Sequence, residues 1–186
     1  MSFLSHLSSI ISVSKSLETE LTSITKKIIV SKNQPLLEIG NRCNDLIFIE
    51  KGLMRGYYFD DGKEITNWFA QENEFAASLY SLVAMKPSTE AIEALEECEF
   101  IQLPYSSLQR LYLKFPETER LGRIIVESYY IKLEERLLNI HFKTAKERYQ
   151  SIVLNKPSLL QRVPLGQIAS YLGITQETLS RIRAEI

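Results

Sequence analysis

The stretch Pro164-Leu165-Gly166-Gln167-Ile168-Ala169-Ser170-Tyr171-Leu172-Gly173-Ile174-Thr175-Gln176-Glu177-Thr178-Leu179-Ser180-Arg181-Ile182-Arg183 reads as two short helices joined by a sharp turn. Leu165, Ile168, Ala169 and Leu172 recur at i, i+3, i+4 and i+7, which gives the first helix one apolar face. Pro164 suits its first turn, where a missing N–H costs nothing. Gly173 can adopt the left-handed conformation that ends a helix, and Thr175 can cap the next one. Ile174, Leu179 and Ile182 can face the core. Gln176, Glu177, Ser180, Arg181 and Arg183 are then left outside, able to reach base edges and phosphates if the helix lies in a major groove. The alternative is an ordinary αα-hairpin at the end of a helical bundle.

Charge is distributed unevenly. The 186 residues carry a net −1, but residues 141–186 hold seven basic side chains against three acidic ones, a net +4, and residues 1–140 carry −5. A basic segment beside an acidic body fits a DNA-binding module attached to a separate sensor or scaffold. At 45% hydrophobic content the chain can bury one good core and a small second one. No run of about 18 apolar residues exists, so no membrane span is expected. The N-terminus lacks the basic and apolar regions of a secretion signal, and a cytoplasmic location is expected.

Cys43 and Cys98 stand alone, without a CxxC pair or Cys/His cluster, which argues against zinc and iron–sulfur centres and fits a reducing compartment. A disulfide between them stays open. His6 and His141 are too few and too separate for a metal site, so no metal is expected. No nucleophile elbow or phosphate loop is present, so no catalytic residues and no enzyme activity are expected. No cofactor is expected, although a small-molecule effector stays open.

The body changes character along its length. Residues 2–26 look helical. From Lys27 to Leu103 the pattern shifts to short strands, at 28–30, 36–39, 46–50, 53–59, 64–70, 91–94 and 100–103. Asp61-Gly62 is a strong hairpin signal, because both residues tolerate positive φ. So many short strands without long helices between them imply an antiparallel sandwich or barrel. The stretch 75–83 is read as a short helical turn packed inside it.

From Glu117 to His141 the chain reads as one long helix, a rod of about 37 Å. Val126, Tyr130, Leu133, Leu137 and Ile140 repeat at spacings of 4, 3, 4 and 3, a heptad seam of two repeats. Leu121, Ile124, Ile125 and Tyr129 form a second apolar face. Two such faces favour a dimer over a helix buried within one chain. Thr144-Ala145-Lys146-Glu147 is a capping box that starts a new helix, so 141–144 is the natural hinge. Ser158–Val163 is read as a connection.

Together these residues resemble the CRP/FNR superfamily of bacterial transcription regulators over roughly residues 20–186. The specific matches are Gly40, then Leu46-Ile47-Phe48-Ile49-Glu50-Lys51-Gly52, and the segment from Ile168-Ala169 to Arg181. Glu177-Thr178-Leu179-Ser180-Arg181 is similar to the recognition helix of the FNR branch, whose matching Glu, Ser and Arg read base edges. The resemblance implies an α+β protein. Residues 1–116 would hold the N-terminal helices and an antiparallel, jelly-roll-like sensor β-roll of the cyclic-nucleotide-binding type. Residues 117–141 would be the dimerisation helix, and 142–186 a helix-turn-helix domain without a wing. It also implies a homodimer on a palindromic double-stranded DNA site with TTGA-like half-sites, and allows RNA polymerase as a partner. Thr175, Gln176, Glu177, Ser180, Arg181, Arg183 and Lys146 are the expected DNA-binding set.

The departures from the family pattern carry information too. Members that bind cyclic AMP have a Gly-Glu pair for the ribose and an Arg-Ser or Arg-Thr pair for the phosphate. Here Ala77 and Ser78 stand for the first pair and Ser88 and Thr89 for the second, with Leu133 and Glu134 at the base-facing positions of the long helix. These six define a candidate effector pocket. A buried cyclic phosphate without its arginine loses a charge-assisted contact, so cyclic-nucleotide binding is disfavoured. The FNR cluster cysteines near the N-terminus are absent. The sequence ends at Ile186, right after the second helix, so the contacts of a wing would be missing, and either modest DNA affinity or a shortened sequence is expected. The rival reading is a ligand-binding or protein-interaction module whose helix-turn-helix does not bind DNA. A cupin-like enzyme is a third, opposed by the missing His cluster.

Overall fold

A computed structural model of the chain describes residues 1–185. Two helices, α1 (Phe3–Ile10) and α2 (Lys15–Ile24), precede the strands β1 (Lys26–Val30), β2 (Pro35–Leu37), β3 (Asp45–Lys51), β4 (Met54–Asp60), β5 (Lys63–Ala70) and β6 (Phe75–Ala76). Helix α3 (Leu79–Ala84) leads to β7 (Ala91–Ala94) and β8 (Cys98–Pro104). Then come α4 (Tyr105–Lys114), the long α5 (Pro116–Phe142), α6 (Ala145–Asn155), α7 (Leu159–Arg162), α8 (Leu165–Leu172) and α9 (Gln176–Ala184). The segment read as 142–186 ends on Ile186, which lies outside the described residues.

The strands form two four-stranded sheets, ordered β1-β8-β3-β6 and β2-β7-β4-β5. β8 lies antiparallel between β1 and β3, with Phe48 opposite Ile101. In β3 the consecutive residues Ile47, Phe48 and Ile49 are all buried, so both faces of that strand are covered. Helix α1 supplies part of the cover. Phe3 and His6 stack on Phe48 at 5.4 and 4.9 Å, and the Phe3 N–H donates to Glu50 Oε1 at 3.0 Å. The strand irregularity after Ile49 leads into Gly52, whose φ is +106°. A Cβ there would meet Cys98 Sγ and the Glu97 carbonyl, so the position requires glycine.

The Asp61-Gly62 hairpin forms as read, with φ of +46° and +74°. Two readings need correction. Residues 75–83 do not pack wholly inside: Phe75–Ala76 is strand, and α3 buries Ser81 and Leu82 while exposing Leu79, Tyr80 and Val83. The connection 158–163 contains the helical turn α7, which buries Leu159.

Packing divides the chain into two compact units. One is Met1–Gly56 with Phe69–Val126; the other is Tyr57–Trp68 with 127–186. The second unit thus takes in the tip of the β4–β5 hairpin and the C-terminal part of α5. Its core is built by Tyr149 and Ile152 of α6, Leu159, Val163, then Ile168, Ala169 and Leu172 of α8 and Leu179 and Ile182 of α9.

Candidate nucleic-acid interface

The turn between α8 and α9 follows from its residues. Gly173 ends α8 with φ +68°, and the Ile174 N–H returns to the Ala169 carbonyl at 3.0 Å. Pro164 sits at the N-cap of α8 rather than inside its first turn. Thr175 caps α9: its Oγ1 accepts from the Thr178 N–H at 3.2 Å. Leu179 and Ile182 are buried at 0% and 8% exposure and anchor the inner face of α9.

All seven residues expected to meet DNA are exposed. Gln176, Glu177, Ser180 and Arg181 occupy one arc of about 140° on α9, opposite the anchors. Glu177 hydrogen-bonds to its own backbone N–H and to the Thr175 hydroxyl, and these contacts, with Arg181 adding charge, hold its carboxyl below the usual range. It therefore faces solvent as a carboxylate, an acceptor. Arg181 Nη2 donates to Thr178 Oγ1 at 3.4 Å. Lys146, in the first turn of α6, is not a bare cation: its Nζ lies 3.1 Å from Glu185 Oε2. Glu185 was not singled out from sequence, because the pair spans 39 residues and no local spacing marks it.

Three other polar residues position the helix pair without any mark in the sequence. Arg148 Nε donates to the Leu172 carbonyl at 3.1 Å, and Nη1 to the Lys143 carbonyl at 2.7 Å, so one guanidinium caps the end of α8 and fixes the start of α6. Ser170 Oγ accepts from the Thr66 N–H at 2.9 Å and donates to the Glu64 carbonyl at 3.0 Å. Arg136 Nη2 lies 3.5 Å from the carbonyls of Thr66 and Tyr171, with its guanidinium 4.0 Å from the centre of the Tyr171 ring.

In the roll, Ser78 and Ser88 are both buried at 2% exposure, with their hydroxyls 2.9 Å apart. Ser88 Oγ donates to the Glu90 carbonyl at 2.7 Å and accepts from the Glu90 N–H at 3.1 Å. The Ser88 hydroxyl has one proton and two acceptors in reach, Ser78 Oγ and the Glu90 carbonyl. Ala77 is half-buried and Thr89 exposed. Leu133 and Glu134 belong to the second unit and are exposed. Sequence reading missed Arg55, which is 3% exposed and forms an ion pair with Glu93 at 2.5 Å. Cys43 is half-buried and Cys98 buried, both as free thiols. Among the described residues no group of acidic, His and Cys side chains could hold a metal ion, and no helix is long and apolar enough to cross a membrane.

Residues 27–115 match the cyclic nucleotide-binding domain family. The chain is 24% identical over 165 residues to the transcriptional activator protein FnrA of Stutzerimonas stutzeri, covering 82% of this chain and 67% of that protein. The fold is that of FixK2 from Bradyrhizobium japonicum, with a TM-score of 0.75 at 19% identity, over 87% of this chain and 84% of the other. A crp/fnr-family protein from Eubacterium rectale gives 0.73 at 17% identity, over 92% and 82%.

The chain has the fold of crp/fnr-family structures. It has an antiparallel, jelly-roll-like domain followed by a long helix and a C-terminal helix-turn-helix. The long helix α5 carries an uncovered apolar stripe. Val126, Tyr130, Leu133, Leu137 and Ile140 are between 48% and 64% exposed. Leu121 on the other face is buried, and Ile124, Ile125 and Tyr129 are half-buried.

Proposed function

We propose that this chain is a dimeric transcription regulator that reads a palindromic DNA site with α9 and does not respond to cyclic AMP. The observation that carries the reading is the exposed arc of Gln176, Glu177, Ser180 and Arg181 on a helix held from behind by Leu179 and Ile182. An arginine can give a bidentate contact to guanine, and a carboxylate can accept from a cytosine amino group. Glu177 and Arg181 are four residues apart, so they can address one G·C-containing step. Thr175, Arg183 and Lys146 lie nearer the phosphates. The likeness of Glu177-Thr178-Leu179-Ser180-Arg181 to the FNR-branch helix supports TTGA-like half-sites, two of them, one per protomer. A cytoplasmic site of action and contact with RNA polymerase go with this reading.

The cyclic AMP part rests on chemistry. Where a nucleotide-binding roll offers a carboxylate and a guanidinium, this roll offers Ser78 and Ser88, which use their hydroxyls on each other and on Glu90. Neither supplies a positive charge to a cyclic phosphate. Calorimetry with micromolar cyclic AMP should give no heat of binding; one nucleotide bound per chain would overturn this part.

The test of the main reading is binding to a randomised half-site library at two salt concentrations. Arg181→Ala should cost about 1–3 kcal/mol and blur preference at one base pair. Equal loss for every sequence would make Arg181 a phosphate contact and misplace the reading face. No salt-dependent binding to any sequence would favour a protein-interaction module instead.

A further inference from the structure

β5 is the last strand of its sheet, so one side of it has no neighbouring strand. In an antiparallel strand the N–H and C=O of one residue point to the same side, and residues two apart share that side. Glu64 and Thr66 are such a pair. Their outward groups are taken not by another strand but by side chains of the helical elements. Ser170 of α8 accepts from the Thr66 N–H at 2.9 Å and donates to the Glu64 carbonyl at 3.0 Å. Arg136 of α5 reaches the Thr66 carbonyl and the Tyr171 carbonyl, both at 3.5 Å, and stacks on the Tyr171 ring. Thr66 itself is fully buried. A single hydroxyl thus does what two backbone groups of a neighbouring strand would do.

We infer that Ser170 and Arg136 form a latch that clamps the outer side of β5 to α8, so that the β4–β5 hairpin sets where the reading helix α9 stands. The strands of that hairpin continue without a break into residues 54–56 and 69–70 of the roll. A shift of the hairpin would therefore reach α8 through the Ser170 and Arg136 side chains. The latch is small. It spares the reading face, since Ser170 and Tyr171 lie on α8 while Gln176, Glu177, Ser180 and Arg181 of α9 stay exposed. Its release would change DNA affinity without changing which bases are preferred. That consequence rests on the DNA-binding reading above; the latch itself does not.

The experiment is amide hydrogen exchange on the full chain, paired with the half-site library. Ser170→Ala removes the acceptor of the Thr66 N–H and the donor to the Glu64 carbonyl. Exchange in residues 63–68 should rise about tenfold, with β3 (Asp45–Lys51) unchanged as the fold control. Ser170→Thr keeps a hydroxyl and should restore protection. Unchanged exchange in Ser170→Ala overturns the latch. In the library, Ser170→Ala should shift affinity at least about threefold, in the same proportion for every half-site. Unchanged affinity overturns the coupling. If the unmodified chain binds no DNA, the functional reading fails and the latch is decided by exchange alone.

Discussion

At the residue scale, the basic side chains near α9 differ in how much of their charge is available. Lys146 shares its charge with Glu185, so a phosphate approaching Lys146 would displace that carboxylate. Opposite effects follow from the two sides of the pair. Lys146→Ala should weaken all sequences alike and reduce the salt slope by about one unit. Glu185→Gln should tighten all sequences alike and leave base preference intact, because it removes a negative charge that competes with phosphate. Titration of both variants at several salt concentrations checks this; a change in base preference for either would place the pair at the base edges. His6 offers a second test. Its ring packs on Phe48 and Phe75, and its Nδ1 has no hydrogen-bond partner among the described residues. Burial, with the N-terminal ammonium adding to it, pushes its pKa below the ordinary value. The folded state then binds fewer protons than the unfolded one. Stability from this residue is full above about pH 6.5 and is lost as the pH falls through the lower folded value. Thermal melts at about pH 7.5 and 5.5 should show a drop that His6→Phe reduces. An identical drop in the variant would assign it to other groups.

Elements differ in how visible they were from sequence, and the reason is distance along the chain. The helix-turn-helix was legible because Gly173, Thr175 and the spacing of Ile168, Ala169 and Leu172 act within a turn or two of their neighbours. The capping box at α6 formed as written: the Thr144 N–H donates to Glu147 Oε2 at 2.7 Å, and Thr144 Oγ1 accepts from the Glu147 N–H at 3.3 Å. The Thr144 N–H, and after it the Thr144 hydroxyl, which donates to Glu147 Oε2 at 2.8 Å, hold the Glu147 carboxyl below its usual range. Thr144→Ala should cost about 1 kcal/mol of stability, read from urea melts; no loss would mean that tertiary packing alone starts α6. Helix α4 was not singled out. It follows β8 with Pro104 at its N-cap and no side-chain cap, so it has no local start signal. Ser78 and Ser88 stand at positions marked only by resemblance to a family pattern, and the structure brings the two hydroxyls together. The Arg55–Glu93 pair, the Arg148 cap and the Ser170 and Arg136 contacts had no signal at all. Each joins residues 24 to 106 positions apart, except the short reach from Arg148 to Lys143.

For the whole molecule the prediction is its stoichiometry. The stripe from Val126 to Ile140 leaves large apolar side chains about half exposed on one rod. A second copy laid along it would cover them in heptad register. Aspartates placed at both Leu133 and Leu137 would put charges into that seam and should yield monomers by sedimentation; a dimer that survives them would mean the seam lies elsewhere. The dependence of β5 on Ser170 also has a consequence in time. The two residues bonded to the Ser170 hydroxyl, Thr66 and Glu64, precede it by 104 and 106 positions. On the ribosome, at about 5–20 residues per second, the hairpin exists for roughly 5–20 s before its clamp has been made. During that interval the nascent β5 is a template for pairing with any passing strand, including its copy on a neighbouring polysome. Yield of the chain in a cell should therefore depend on holdase chaperones during synthesis more than its finished stability would suggest.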